Sequence, residues 1–446
     1  MAPEKDTMQA FPTRFRFTLG WTVIFLGAIG LWTTSNLNAQ VSSIAADRPS
    51  SVDAAAADLS VDWPNWMGPE GRGISTESGW ASSWPDEGLK EIWSKEIGIG
   101  FSSISISHGR LYTAGHRAGT ETIYCLNADD GRLLWKHEYP CRLIDNLYEG
   151  GPGATPSIGD GLVYMVGKEG QFLCLEADTG DVVWEKALPD DLGVPVPEWG
   201  FNCSPLILGD EVIIQGGRVA SYDQRTGDKN WQSDRHLAGY GCVRPLRSGH
   251  QDYLTVLDCE AIRVLNASDG SEVDAFPWES PFGTNSTTPI VEDDTVFVST
   301  GYQVGCGLFR FTHGRLELVY ENREMRNHFN NSILWNGFLY GFDGNSNLGR
   351  VVQLKCMNQM TGEVAWAHSG LGCGSLMVAN GKLLLLSDDG QLVLAKASPE
   401  SFEKLSESKI LDGRCWTVPV LHRQHVFARN AEGRLVCVRL PTSPVP

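Results

Sequence analysis

The fold is decided by a short stretch of the chain, Leu175-Glu-Ala-Asp-Thr-Gly-Asp-Val-Val-Trp184. A Thr-Gly pair separates two apolar runs there, and glycine adopts the positive φ angles that tight hairpin turns require. A tryptophan follows the glycine by four residues. Three further copies keep this spacing: Ala128-Asp-Asp-Gly131 with Trp135, Gln224-Arg-Thr-Gly227 with Trp231, and Gln359-Met-Thr-Gly362 with Trp366. The stretch therefore indicates a repeated β-hairpin.

Two weaker copies fill the gap between the third and fourth hairpins. They are Ala267-Ser-Asp-Gly270 before Phe276 and Phe311-Thr-His-Gly314 before Leu318. The six turn glycines, at 131, 180, 227, 270, 314 and 362, then follow one another at intervals of 43 to 49 residues. A period in that range is typical of a four-stranded propeller blade.

The first strand of each copy sets the number of blades, and several of these strands follow a Thr-Pro or Ser-Pro pair. Counting them predicts an all-β, eight-bladed β-propeller with blades near residues 102–139, 154–188, 203–236, 241–278, 285–322, 330–369, 371–410 and 414–440. The last blade lacks a fourth strand of its own. Residues 90–97 look like a lone fourth strand, with Trp93 in the repeat position. We therefore expect this N-terminal strand to close the last blade, which removes the open sheet edges.

Composition and charge exclude some classes of function. The chain has 446 residues, of which 42% are hydrophobic and 20% are charged, as in ordinary globular proteins. Its formal net charge is −18, which repels nucleic acid and anionic lipid from most of the surface. No nucleic-acid partner is predicted.

The N-terminus has the order of a secretory signal. Lys5, Arg14 and Arg16 precede the apolar run 17–32, and Ala39 suits the last residue removed. We interpret 1–39 as a signal peptide or, since Leu37 is large for a cleavage site, a retained membrane anchor. Residues 40–61 are interpreted as a disordered linker, 62–89 as a lead-in segment and 90–446 as the propeller. Both interpretations of the N-terminus predict an exported protein in the periplasm or cell envelope.

The Leu-x-Ala-x-Thr-Gly-x-x-x-Trp pattern resembles the repeat of the PQQ-like, or quinoprotein alcohol dehydrogenase-like, β-propeller family. That family includes quinoprotein alcohol dehydrogenases and the propeller lipoprotein of the outer-membrane assembly machinery. The segment Asp62-Trp-Pro-Asn-Trp-Met-Gly-Pro-Glu-Gly-Arg-Gly-Ile74, followed by Trp84-Pro85, is similar to the start of secreted proteins with this repeat. The resemblance covers roughly residues 90 to 440 and implies the fold. It does not determine the function, because one fold hosts many functions.

The dehydrogenase activity that the resemblance offers has specific requirements. Quinoprotein dehydrogenases hold the quinone between an aromatic floor and a disulfide of adjacent cysteines, bind Ca²⁺ through carboxylate and amide oxygens, and use an Asp as base. No two of the 11 cysteines here are adjacent, and no Cys-x-x-Cys-His haem motif occurs. We therefore predict no catalytic residue and no cofactor. A PQQ- and Ca²⁺-dependent dehydrogenase of an alcohol or sugar is the alternative.

The cysteines fall into two recurring positions. Cys125, Cys174 and Cys356 each lie six residues before a turn glycine, and Cys437 occupies the matching strand, which indicates a small apolar core slot. Four others come just before a first strand: Cys203, Cys242, Cys373 and Cys415. Disulfides 203–242 and 373–415, a metal site, or small residues packed where the blades converge all remain open. No metal site is predicted, because a four-cysteine site would have to span the channel.

The residues before the first strands also suggest a binding face, because these strand starts converge at one mouth of the central channel. We predict that this face contains Asn202, Tyr240, Arg244, Asn285, Asn330, Arg414 and Trp416. Arg414 and Trp416 are two apart, so an extended chain turns them to the same side. They form either a cationic, aromatic patch for an acidic or planar group, or a channel plug with Arg414 paired to a carboxylate. The predicted function is a noncatalytic binding or assembly scaffold at the envelope, with an envelope protein or small ligand at the mouth and membrane contact only through the N-terminal anchor.

Overall fold

A computed structural model describes residues 62–346 and 352–443. This part of the chain forms eight sheets, each with four consecutively hydrogen-bonded blade strands, arranged as a β-propeller. The prediction of an eight-bladed propeller is confirmed. Among the described residues no helix is long and apolar enough to cross a membrane. The predicted signal or anchor at 1–39 and the linker at 40–61 lie outside the described residues.

The strands are numbered along the chain. Before the first complete blade come β1 (Ile74–Ser75) and β2 (Lys90–Glu96). Blade 1 comprises β3 (Ser105–Ser107), β4 (Arg110–Arg117), β5 (Thr120–Asn127) and β6 (Leu133–Pro140), and blade 2 comprises β7 (Ser157–Gly159), β8 (Leu162–Val166), β9 (Gln171–Glu176) and β10 (Val182–Ala187). Blade 3 comprises β11 (Leu206–Leu208), β12 (Glu211–Gln215), β13 (Val219–Asp223) and β14 (Lys229–Gln232). Blade 4 comprises β15 (Arg244–Ser248), β16 (Gln251–Leu257), β17 (Ala261–Asn266) and β18 (Glu272–Pro277). A short helix, α1 (Leu188–Leu192), follows β10.

Blade 5 comprises β19 (Ile290–Glu292), β20 (Thr295–Thr300), β21 (Gly305–Thr312) and β22 (Arg315–Asn322), and blade 6 comprises β23 (Ile333–Trp335), β24 (Phe338–Asp343), β25 (Gln353–Asn358) and β26 (Val364–Ser369). Blade 7 comprises β27 (Ser375–Ala379), β28 (Lys382–Leu386), β29 (Gln391–Lys396) and β30 (Lys404–Lys409). Blade 8 contains β31 (Val420–His422), β32 (His425–Arg429) and β33 (Arg434–Arg439). Blade 8 takes its outer strand from the N-terminal side, because β2 pairs antiparallel with β33 and sets Trp93 opposite Cys437. The predicted ring closure is therefore confirmed.

The lead-in segment, residues 62–89, crosses the inner strands of the ring. Trp63 forms a β-bridge with Ile106 in blade 1, and β1 pairs parallel with the end of β27 in blade 7. Between these points Arg72 forms an ion pair with Glu292, the last residue of β19. Most of these contacts lie near the ends of inner strands. The segment therefore covers the channel end opposite the mouth where the inner strands begin.

The repeat tryptophans join neighbouring blades. The indole N–H of Trp135 donates to Ala177 O in blade 2 at 2.9 Å, and that of Trp184 donates to Gln224 O in blade 3 at 2.9 Å. Each ring also packs on the turn glycine of the next blade: a Cβ at Gly180 would lie 2.6 Å from Trp135. The glycine is thus required twice, for its φ of +78° and for the close approach of the ring.

The recurring cysteines lie under these rings. Cys125 is the register partner of Trp135, Cys174 of Trp184 and Cys356 of Trp366. All three, with Cys437, are fully buried. A small side chain here leaves room for the indole of the neighbouring strand.

Substitutions at two glycines distinguish the requirement for a positive φ from the requirement for space beside the indole ring. Gly180 and Gly161 share a φ of +78°, but a Cβ at Gly161 would meet nothing within 4 Å. We expect Gly161→Ala to lower the free energy of unfolding by about 1–2 kcal/mol through backbone strain alone. Gly180→Ala should lower it by roughly a further 1–3 kcal/mol, because its methyl group collides with Trp135. Urea unfolding of both variants measures the difference, and equal losses would contradict the role assigned to the indole contact.

Candidate functional site

A cavity of about 240 Å³ lies at the mouth of the channel, where loops from several blades meet. Four of the seven residues predicted for this face line it: Asn202, Tyr240, Asn330 and Trp416. Trp66 of the lead-in segment also lines the cavity. Since that segment covers the far end of the channel, Trp66 forms a floor and the cavity is a cup. We call it the mouth cup.

Two of the predicted residues lie outside the cup. Arg244 extends toward the lead-in segment, where its guanidinium donates to Glu70 O at 2.6 Å. Asn285 is fully buried, and its amide donates to Asp258 O at 2.7 Å and Trp278 O at 2.8 Å. Arg244 therefore anchors the floor, while Asn285 satisfies backbone carbonyls.

Arg414 lies beside the cup and makes both of the contacts considered for it. Its Nη1 lies 2.7 Å from Glu149 Oε2, and its guanidinium carbon lies 4.4 Å from the centroid of the Trp416 ring. The ion pair neutralises much of its charge, and the stacking orients the indole. Trp416 is half-buried and keeps part of its ring available to the cup.

Aromatic rings form a continuous arc around the cup. Trp416 lies 5.5 Å from Phe101 and 4.3 Å from Phe329 between ring centroids. The series continues from Phe101 to Tyr148 and from Phe329 through His328 to Tyr302, with spacings of 4.8 to 5.5 Å. Burial lowers the pKa of His328 to about 4, so this ring is neutral at pH 7 and acts as an apolar surface. We call these six residues the aromatic arc.

Phe101 and Phe329, like Trp416, lie just before first strands, whereas the sequence reasoning missed the other three members of the arc. Tyr148 lies in the connection between blades 1 and 2, Tyr302 between β20 and β21, and His328 directly before Phe329. None of the three occupies a position that recurs with the repeat. Only the three-dimensional convergence of these loops identifies them.

A buried lysine lies in the wall of the cup. Lys168 is 1% exposed, and its ammonium group donates to Asn202 Oδ1 and lies 5.4 Å from the centroid of the Tyr148 ring. Burial lowers the pKa of Lys168 to about 7, although the nearby Glu121 opposes the shift. The amine is therefore close to half protonated at neutral pH and responds to an acidic ligand by taking up a proton.

All eleven cysteines lie among the described residues, and all are free thiols in the structure. The side chains of Cys203 and Cys242 lie within hydrogen-bonding contact, and the Cys203 thiol also donates to Ser204 O at 3.4 Å. Cys373 and Cys415, the other pair considered, are both buried, and burial raises the pKa of each thiol to about 12. Within residues 62–346 and 352–443, no three His, Cys, Asp or Glu side chains are grouped to hold a metal ion.

The cup does not match a calcium–quinone site. Its described lining residues include no Asp or Glu, whereas Ca²⁺ requires several carboxylate and carbonyl oxygens. Cys242 is its one lining cysteine, and the neighbouring thiol is that of Cys203, which is not adjacent to Cys242 in the sequence. We therefore derive no quinone chemistry from this site.

A family model described as outer membrane protein assembly factor BamB matches residues 119–368, more than half of the chain. The chain belongs to this family of PQQ-like β-propellers. The family resemblance inferred from the repeat is confirmed.

Individual relatives are distant. The chain is 24% identical over 233 residues to tetrathionate hydrolase of Acidithiobacillus ferrooxidans, covering 48% of this chain and 44% of the relative. It is 25% identical over 223 residues to the BamB of Burkholderia pseudomallei, covering 47% of this chain and 52% of the relative. The matches thus span about half the length of these relatives.

A solved structure shows the same fold. The quinohemoprotein alcohol dehydrogenase of Comamonas testosteroni superimposes with a TM-score of 0.68 at 12% identity, over 89% of this chain and 84% of that one. At this identity the likeness concerns architecture and not activity.

The Lys168 environment predicts a specific pH dependence. Because its pKa falls from the model-peptide value of 10.5 to about 7 on folding, the unfolded chain binds a proton between these values that the folded protein does not. This lysine should therefore make the folded protein more stable as pH rises from about 7 toward 10, and Lys168→Met should remove that contribution. Reductive methylation with labelled formaldehyde followed by NMR titration should show one lysine resonance with a midpoint near pH 7, absent from Lys168→Met. A wild-type protein with every lysine titrating near pH 10 would contradict the assignment.

Proposed function

We propose that the protein is a noncatalytic binding propeller of the cell envelope, which holds part of a partner protein in the mouth cup. The observation that carries this proposal is the aromatic arc around a cup whose floor is formed by the protein's own lead-in segment. A closed floor directs binding to one face. A binding partner then contacts the mouth and does not pass through the ring.

The dimensions of the cup favour a protein partner. Drug-sized ligands and cofactors occupy pockets of about 300–1,000 Å³. The cup, at about 240 Å³, is smaller. It suits one or two side chains of a partner segment, which would lie across the rim while an apolar or planar group enters the arc.

The chemistry of the rim is typical of interface hot spots. Binding energy at protein interfaces concentrates in tryptophan, tyrosine and arginine residues near the centre of a patch. Trp416, Tyr240 and Arg414 supply these three types at one mouth. Lys168 provides the cation in the wall, in a chain whose net charge is −18. An acidic or aromatic group of the partner is therefore the expected occupant.

The relatives support the scaffold function more than an enzymatic one. The family model and one of the relatives carry the name of an outer membrane protein assembly factor. Another relative is named for a hydrolase. Export of this protein to the envelope remains part of the proposal and rests on the N-terminal sequence.

Site-specific photo-crosslinking in the native cell tests the proposal. Leu147 lines the cup and is 81% exposed, so a photoreactive phenylalanine analogue at this position faces any bound partner. We expect one dominant adduct with an envelope protein. Trp416→Ala should reduce its yield at least tenfold, because a hot-spot aromatic contributes about 2 kcal/mol or more. Arg414→Glu should reduce it as well.

The matched control places the same analogue at Val182, which is 43% exposed on the outer strand β10. Melting temperatures of all variants establish that the fold is intact. The same adducts from Val182 and Leu147, or a Leu147 adduct unaffected by both mouth substitutions in folded protein, would refute the proposed binding face.

A further inference from the structure

One cysteine differs from the other ten. Ten of the eleven thiols are buried, whereas Cys242 is half-exposed and lines the mouth cup. A solute in the cup therefore lies next to Cys242. The repeat explains the position of this residue, because Ser204 and Thr288 accept the same kind of N–H hydrogen bond in the neighbouring blades, but it does not require a thiol there.

Cys242 has a second thiol directly behind it. Cys203 lies three residues before the inner strand of blade 3 and Cys242 two residues before that of blade 4, and their side chains lie within hydrogen-bonding contact. The backbone N–H of Ser204 also donates to Cys242 Sγ, at 3.3 Å. Cys203 itself is 1% exposed, with its Sγ 3.4 Å from Ser204 O. Cys242 thus lines the cup, and Cys203 is buried behind it.

The surroundings distinguish the two thiols chemically. The hydrogen bond from Cys203, together with that from the Ser204 N–H, lowers the pKa of Cys242 to about 7 against the effect of burial. Burial and the neighbouring Cys242 sulfur raise the pKa of Cys203. The guanidinium of Arg244 is close enough to Cys242 for their charges to attract. Thiolates, not thiols, attack sulfur, so Cys242 is the nucleophile of the pair.

We propose that Cys242 and Cys203 form a thiol–disulfide exchange pair that reduces a small disulfide bound in the mouth cup. The Cys242 thiolate forms a bond to one sulfur of the substrate, the substrate S–S bond breaks, and one thiolate leaves with the electron pair. Cys203 then transfers its proton to the leaving group and attacks Cys242 Sγ, which releases the second substrate thiolate. The protein ends with a Cys203–Cys242 disulfide, and the substrate is reduced to one thiol and one thiolate, which takes its proton from water.

The cup also defines the class of disulfide. The aromatic arc favours a planar or apolar substituent, and Lys168 in the wall favours an anionic one. One arm of an aromatic or carboxylate-bearing disulfide satisfies both, while the second arm stays outside, because the cup of about 240 Å³ is smaller than the pockets of drug-sized ligands. This inference does not depend on the partner protein proposed above, and its test uses the purified full-length chain alone.

The test is stopped-flow reaction of the reduced protein with dithiobis(nitrobenzoate), an aromatic, anionic disulfide. The wild type should release two thionitrobenzoates per chain in a burst and become free of bound label. Cys203→Ser should release one and retain the other as a stable adduct seen by mass spectrometry. Cys242→Ser should lose the burst, since the remaining thiols are buried. The burst rate should fall about tenfold for each pH unit below the pKa of Cys242, because only the thiolate reacts.

Cys415→Ser is the matched control, since Cys415 also precedes the inner strand of its blade but is buried and has a raised pKa. It should keep the wild-type burst. A peptide digest of the oxidised wild type decides the pairing even if a variant fails to fold, because it should contain a peptide joined through Cys203 and Cys242. A burst that survives Cys242→Ser in folded protein, a wild type without a burst, or a joined peptide with another cysteine would overturn the proposal.

Discussion

The packing of an outer-strand tryptophan on a turn of the next blade is the contact on which the ring depends. Trp135 also donates its indole N–H to a turn carbonyl of blade 2, Trp184 to one of blade 3 and Trp366 to one of blade 7, whereas Trp231 packs on Gly270 without such a hydrogen bond. Trp93 lies on a strand from the opposite end of the chain, yet its indole donates to Ala128 O in blade 1 at 3.0 Å. The same contact therefore joins blades within the ring and also closes it. In blade 5 the hydroxyl of Tyr320 replaces the indole and donates to Gln359 O at 2.8 Å.

Because these contacts lie on the outer strands, the inner ends of the blades are free to vary. The loops that precede the inner strands meet at the mouth, where an N–H of one blade donates to a side chain of the next, as Thr155 N–H does to Ser204 Oγ and Ser204 N–H to Cys242 Sγ. Apart from this repeated contact the loops differ, and together with the turns that hold Lys168 and Tyr302 they supply an aromatic arc, a lysine and a thiol. The lead-in segment adds the floor from outside the repeat through Trp66. A regular ring thus carries an irregular cup, and the function resides in the irregular part.

This division explains what the sequence predicts and what it does not. The blade number and the closure through Trp93 follow from periodic glycine and tryptophan positions, which are visible in one dimension. Asn202, Tyr240, Asn330 and Trp416, selected for their placement before an inner strand, line the cup. Placement before a strand does not determine the direction of a side chain. Asn285 turns to the carbonyls of Asp258 and Trp278, which would otherwise lack this donor. Arg244 extends to the lead-in segment. Tyr148 and Tyr302 belong to loops without a recurring pattern, so no sequence signal marks them.

The cysteines before the inner strands show how similar places in the blades acquire different chemistry. In blades 7 and 8, Cys373 and Cys415 are buried, and Cys415 Sγ lies within 3.7 Å of the Gly413 carbonyl oxygen, which accepts from a thiol and disfavours a thiolate. In blades 3 and 4, the sulfur of Cys242 receives hydrogen bonds from the Ser204 N–H and the Cys203 thiol. Donors stabilise the thiolate and acceptors stabilise the thiol. The difference therefore arises from burial, which raises the pKa of Cys415, and from the direction of neighbouring N–H and C=O groups, neither of which the repeat pattern specifies.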